Sequence, residues 1–127
     1  MAISTAIKQY WGNTQSGIYE EMRMLYDAHA ATDDGVWLDM KGVQLLQTQV
    51  GGSSPVGTVL ISGSYGTDSK FTIPANSSDG DYTIATITNG GQDITRGFDI
   101  PRYVKVHLSA YTSGDFDVFA KIVRMAQ

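Results

Sequence analysis

Alternation of apolar and polar residues runs through most of this chain and is sharpest over residues 103–123. In RYVKVHLSAY, Val104, Val106, Leu108 and Ala110 fall on one side of an extended strand; in DFDVFAKIV, Phe116, Val118, Ala120 and Ile122 do the same. Pairing Ala110 with Phe116 makes the two a hairpin closed by Thr112-Ser113-Gly114, with both apolar sets on one face. The outer row then holds Tyr103, Lys105, His107, Ser109 and Tyr111, facing Val123, Lys121, Phe119, Asp117 and Asp115. Tyr103, Phe119 and Val123 are apolar on that outer face, so the pattern predicts a second layer or a partner over part of it.

Shorter runs of the same kind precede this pair from Thr32 onward. VWLDMKG and VQLLQTQV read as strands. In the second, Val43 and Leu45 share one face and Leu46, Thr48 and Val50 the other, which calls for a bulge between Leu45 and Leu46. TVLISGS, KFTIP and DYTIATIT are further strands, the last pointing Tyr82, Ile84 and either Thr86 or Ile87 to one side. TDDG, GGSSPVG, YGTDS, ANSSDGD and NGGQD are turn clusters. Seven to nine short strands between such turns predict an all-β antiparallel sandwich or jelly roll of about eight strands, formed by residues 22–127.

Residues 1–21 form an N-terminal arm of different character, partly helical or extended. Ile3, Ile7, Tyr10 and Trp11 have helical spacing. Over SGIYEEMRMLYDAHAA two readings stand: Ile18, Met22, Leu25 and His29 fit a helix, and Met22, Met24, Tyr26 and Ala28 fit a strand. Tyr10, Trp11 and Tyr19 lie outside any clear core pattern. Packing on the arm's own domain and packing on a neighbouring chain both account for them, since Tyr and Trp are enriched in interface cores. Trp37 is expected in the core or a second layer.

Composition narrows the chemistry. The 127 residues suit one domain with a single core. There is no cysteine, so disulfides and thiolate metal sites are excluded. The net charge is −4 and the nine basic residues are scattered, which argues against nucleic-acid binding. No secretory signal and no membrane span is apparent. Only 17% of residues are charged, a surface suited to contact with other subunits. The two histidines, His29 and His107, lack zinc-ligand spacing, and His107 reads as a polar surface or interface residue. Asp33-Asp34, and Asp79 with Asp81 beside Asn76, could offer oxygens to calcium but match no EF-hand spacing and read as turns. No nucleophile elbow or phosphate-binding fingerprint occurs. No cofactor, metal or catalytic group is expected.

Four phrases carry a family likeness: DAHAATDDGVW (27–37), DMKG (39–42), GTVLISGS (57–64) and IPRYVKVHLSAYTSG (100–114). Their order over residues 22–125 resembles that of small β-sandwich virion proteins of tailed bacteriophages, such as capsid decoration (cement) proteins and related head-fibre and tail proteins. The resemblance implies a non-enzymatic structural protein, made in the host cytoplasm and carried on the capsid surface. Its partners would be the major capsid protein and other copies of itself, as a homo-oligomer, commonly a trimer. The expected contact residues are Ile3, Ile7, Tyr10, Trp11, Ile18 and Tyr19 of the arm, then Tyr103, Tyr111 and Phe119.

VLISGSYGTDSKF with RYVKVHL also resembles discoidin-like, galactose-binding jelly rolls. Here Tyr65-Gly66-Thr67-Asp68 stands where an Asn-Asp-Gly-Thr order is usual, and Lys70 or Phe71 where a Trp is. That likeness implies, as the alternative, a glycan-binding module of a tail or fibre with a shallow site in loops 63–70 or 75–81.

Overall fold

The computed structural model describes the backbone of residues 7–13, 18–66 and 82–125, with side chains for residues 20–66, 82–97 and 99–124. The described residues form nine strands in chain order: β1 (Ile7–Asn13), β2 (Ile18–His29), β3 (Trp37–Asp39), β4 (Val43–Gly51), β5 (Val56–Ser64), β6 (Tyr82–Thr88), β7 (Gly91–Arg96), β8 (Tyr103–Ser113) and β9 (Phe116–Met125), with a 3-10 turn at Gly97–Asp99 before β8. They form two antiparallel sheets, ordered β1-β2-β9-β4-β7 and β3-β8-β5-β6. The strands β2 to β9 form a jelly roll, four in each sheet, passing between the sheets at every connection except that from β5 to β6, which pair with each other, and β1 extends the first sheet along its β2 edge. The expected all-β sandwich is therefore the fold. The expected strand KFTIP and turn ANSSDGD, and Ile3 with them, lie outside the described residues.

Two readings of local structure change. Residues 7–13 and 18–29 are extended, so the helical alternative is replaced by strand pairing. β1 runs antiparallel to β2 from Ile7 opposite Met24 to Asn13 opposite Ile18. β2 continues through the division drawn at residue 21, and pairs with β9 from Ile18 opposite Met125 to His29 opposite Phe116. Helical spacing of a few apolar residues is weak evidence when a sheet edge is available to satisfy every backbone group of the segment.

The second correction concerns β8 and β9, which are not a hairpin. β8 pairs with β5 and β3, β9 with β2 and β4, and the two strands lie in opposite sheets. Their alternation is real: Val104, Val106 and Leu108 from β8 and Phe116, Val118, Ala120 and Ile122 from β9 are all buried in one core. Two apolar faces meet equally well side by side in one sheet or across a sandwich, so periodicity alone does not choose between them. The corner chooses. Gly114 has φ +80°, and a side chain there would collide with the Ser54 carbonyl. Asp115 N donates to Ser53 O at 3.1 Å. The β8–β9 crossing is thus tied to the β4–β5 crossing, and both carry the chain from one sheet to the other.

Bulges settle which side chains reach the core. In β8, register slips between the pairs Thr58–Ala110 and Val59–Leu108. This leaves Ala110 exposed and turns Tyr111, expected on the outer row, inward against the core. Tyr111 meets Phe116 edge-on with ring centroids 6.3 Å apart, and its hydroxyl donates to Gly114 O at 2.8 Å. In β4 the slip lies between Val43 and Leu45, one position before the site expected, so Val43, Leu46, Thr48 and Val50 all face inward and Leu45 outward. In β2, two slips between Met24 and His29 let both Leu25 and Tyr26 be buried. Ala28, with φ +46°, is held there by its N–H donating to Asp117 Oδ1 at 2.7 Å. In β6, Ile87 rather than Thr86 reaches the core.

Among the described residues, one carboxylate is buried on the core side. Glu21 is 2% exposed, with its carboxylate 3.2 Å from Arg23 and 3.4 Å from Arg124. Two guanidinium groups offset the cost of burying this carboxylate, and the Arg124 contact joins β2 to β9 at one end of the sandwich.

Candidate interaction surfaces

The outer faces of the two sheets differ in kind. On the five-stranded sheet, the register places Met22 and Met24 of β2, Phe119 and Val123 of β9, Leu45 of β4 and Ile94 of β7 on the face away from the core. Ile94 is 43% exposed and the other five are half-buried. Gln47, Gln49 and Gln92 lie among them, and Gln47 Nε2 donates to Gln92 Oε1 at 3.1 Å. The charged pair Lys121 and Glu20 is internally matched at 3.4 Å. A dimple of about 50 Å³ opens between Met22, Gln47, Gln49, Phe119 and Lys121. The face is apolar, nearly neutral and shallow, properties that suit contact with another protein surface.

On the four-stranded sheet, the polar residues of β8 are buried. Lys105 is 2% and His107 9% exposed, and Tyr103 is 5% exposed. The Lys105 ammonium lies 4.9 Å from the Trp37 ring centroid, a cation–π contact that places half-buried Trp37 in a second layer over β8. Gly35 backs directly onto the His107 and Lys105 side chains, and Asp33 N donates to Leu108 O at 3.0 Å. Segment 33–39 therefore lies along β8. His107, expected at a polar surface or interface, is enclosed instead, because the link from β2 to β3 returns beside its strand. Ser62 and Ser64 of β5 are buried as well.

Beside that segment is a polar cleft of about 440 Å³ lined by Thr32, Asp33, Asp34, His107, Leu108 and Ser109. Asp33 braces its wall. Its Oδ1 accepts Gly35 N at 2.7 Å and the Tyr26 hydroxyl at 3.4 Å, and its Oδ2 lies 4.0 Å from His29 Nε2. Burial, then the Asp33 charge, push the Tyr26 phenol well above its usual range. Burial also lowers the His29 pKa below its ordinary value. The TDDG phrase is irregular chain with Gly35 at φ +71°, not the regular turn expected. Among the described residues, no group of three or more His, Cys, Asp or Glu side chains is placed to hold a metal ion, and no helix is long and apolar enough to cross a membrane.

Of the residues expected at an interface, the three with described side chains, Tyr103, Tyr111 and Phe119, do not share one patch. Ile7, Tyr10 and Trp11 are in β1, with backbone register opposite Met24, Glu21 and Glu20, and Ile18 and Tyr19 begin β2. Tyr103 is buried on β8, with the Arg102 guanidinium 5.2 Å from its ring centroid. Tyr111 is turned to the core. Phe119 alone of the three from β8 and β9 lies on the apolar outer face. Met22, Met24, Leu45 and Ile94 were not expected there. Parity within one strand could have suggested the methionines, but Leu45 and Ile94 join them only through pairing across three strands.

A second exposed apolar feature lies at the rim of the four-stranded sheet. Tyr65 and Tyr82 are 57% and 43% exposed, with rings inclined at 21° and centroids 6.3 Å apart. Burial first, then the neighbouring Tyr65 phenol, raise the Tyr82 pKa to about 12.

No protein-family model matches the chain, and no curated protein matches it. Among solved structures, one named "BiXyn10A CBM1 APO" is similar over 99% of this chain and 89% of its own length, at 10% sequence identity and a TM-score of 0.31. A likeness that faint carries no argument about this chain.

Proposed function

We propose that this chain is a non-enzymatic structural protein of a tailed-phage virion, a decoration protein that binds the outside of the capsid and bridges its subunits. The observation that carries the reading is the outer face of the five-stranded sheet. Six apolar side chains share a shallow, nearly neutral surface there, with Lys121 and Glu20 among them matched to each other. The jelly roll behind it is a rigid support, since its core is filled from both sheets. The phrases IPRYVKVHLSAYTSG and GTVLISGS, which carry the likeness to virion proteins, form β8 and β5, the two central strands of the other sheet. Attachment would be multivalent: each contact is modest, and an oligomer held at several points gains avidity through effective concentration.

The test is co-sedimentation of the purified chain with undecorated capsids of the phage that encodes it. Saturable binding by the wild type, lost in the double variant Met22→Glu/Phe119→Glu, is the expected result. Failure of the folded wild type to bind such capsids would refute the reading.

A further inference from the structure

The rim of the four-stranded sheet carries a feature that shell attachment does not use. Tyr82 opens β6 opposite Gly63, and Tyr65 directly follows the end of β5. Gly63 lets them be there. A side chain at this position would run into Pro101 and lie 3.1 Å from the tip of the Tyr82 ring. The Tyr82 ring and Pro101 thus rest against bare backbone, a footing with little freedom.

Near-parallel rings in face-to-face contact would sit at about 3.5–4.0 Å. At 6.3 Å the two rings are offset, and their exposure leaves ring faces open to solvent. The Gly63 and Pro101 contacts seat the Tyr82 ring, and the pair presents a short strip of two aromatic faces. Next along the chain from Pro101 stands Arg102, held in a bidentate pair with Asp39 at 2.8 and 3.0 Å.

We infer that Tyr65 and Tyr82 form a glycan-stacking site for neutral, linear β-1,4-linked sugars of gluco configuration. In such a pyranose every hydroxyl is equatorial, so both ring faces present C–H bonds, which are attracted to the negative face of an aromatic ring. Neighbouring sugars of a linear chain offer successive flat faces, as the two-ring strip does. A phenol ring has few rotamers to lose, so little ordering is needed at binding. The net charge of −4 disfavours acidic polysaccharides. The inference does not depend on capsid attachment, because the two surfaces lie on different sheets.

The experiment titrates full-length protein with cellohexaose and chitohexaose by NMR and calorimetry, and repeats it with Tyr65→Ala, Tyr82→Ala and Tyr65→Phe. Both tyrosines are exposed, so unchanged melting curves are expected and serve as the folding control. Saturable binding to at least one oligosaccharide is expected. Either alanine variant should weaken it by about tenfold or more, while Tyr65→Phe, which keeps the ring, stays within about threefold. Absence of saturable binding to both sugars overturns the inference, as does binding that survives both alanine substitutions. Capsid co-sedimentation of the alanine variants separates the alternatives. Unchanged capsid binding supports the assignment, whereas loss of capsid binding without sugar binding would make the pair a protein contact and also overturn it.

Discussion

The two outer faces of this sandwich invert the usual distribution of polarity. On β8, a lysine, a histidine and a tyrosine point away from the core and are nonetheless enclosed. Across the molecule, methionines, a phenylalanine and aliphatic residues point away from the core and remain half open. Enclosed polar groups with nearby partners are structural: Lys105 under Trp37, and His107 against Gly35, fix the segment that follows β2. Half-open apolar groups that no described residue covers add little to the stability of the single chain and supply area for contact. Under the proposed function, one face serves folding and the other attachment.

That division predicts opposite consequences for substitutions. The largest effect is expected on β8. Lys105→Ala removes a buried stem and its contact with Trp37, and should lower unfolding free energy by roughly 2–4 kcal/mol. Urea unfolding measures this, and a loss under about 1 kcal/mol would break the comparison. On the other face, Phe119→Ser should cost about 1 kcal/mol or less in stability, because the residue is already half solvated. It should nonetheless weaken capsid binding about tenfold, as truncation of an aromatic contact commonly does.

A smaller effect concerns pH. The folded-state pKa of His29 is lowered from 6.5, chiefly by burial, so the native state favours the neutral ring. The unfolded chain then binds more protons in the window below 6.5, and stability falls as pH drops through it. His29→Gln should flatten the dependence of the urea midpoint on pH between about 5 and 7; an unchanged slope would remove His29 from the account. Smallest is the exposed pair Arg102–Asp39. The Arg102 hydrogen bond holds the Asp39 carboxyl below its ordinary range, and both side chains are largely solvated. Arg102→Ala should therefore leave the urea midpoint essentially unchanged.

How much of this was legible in the chain follows from what periodicity encodes. Alternation in β8 and β9 identified nearly every core residue they contribute. It could not say that the strands belong to different sheets, because the information lies in the corner at Gly114 and its contact with Ser54. Ala110 and Tyr111 were misplaced for a related reason: one bulge at Ser109 reverses the phase of all that follows. β2 was ambiguous because its two bulges interrupt the alternation that marks a strand, leaving Leu25 and Tyr26 adjacent and both buried. Of the outer apolar face, Phe119 and Val123 could be read from parity. Leu45 and Ile94 could not, since their membership depends on register across β9, β4 and β7. The Tyr65–Tyr82 pair was invisible for the same cause, the two residues being joined only by β5–β6 pairing.

Methionine oxidation footprinting on capsid-bound protein tests the central claim most directly. Met22 and Met24 lie half open on the attachment face, while Met40 is 3% exposed in the core. In the free protein the first two should oxidise readily and Met40 slowly. On the capsid, the account predicts that Met22 and Met24 become as protected as Met40. Oxidation of both at their free-protein rates, in protein that is demonstrably bound, would contradict it.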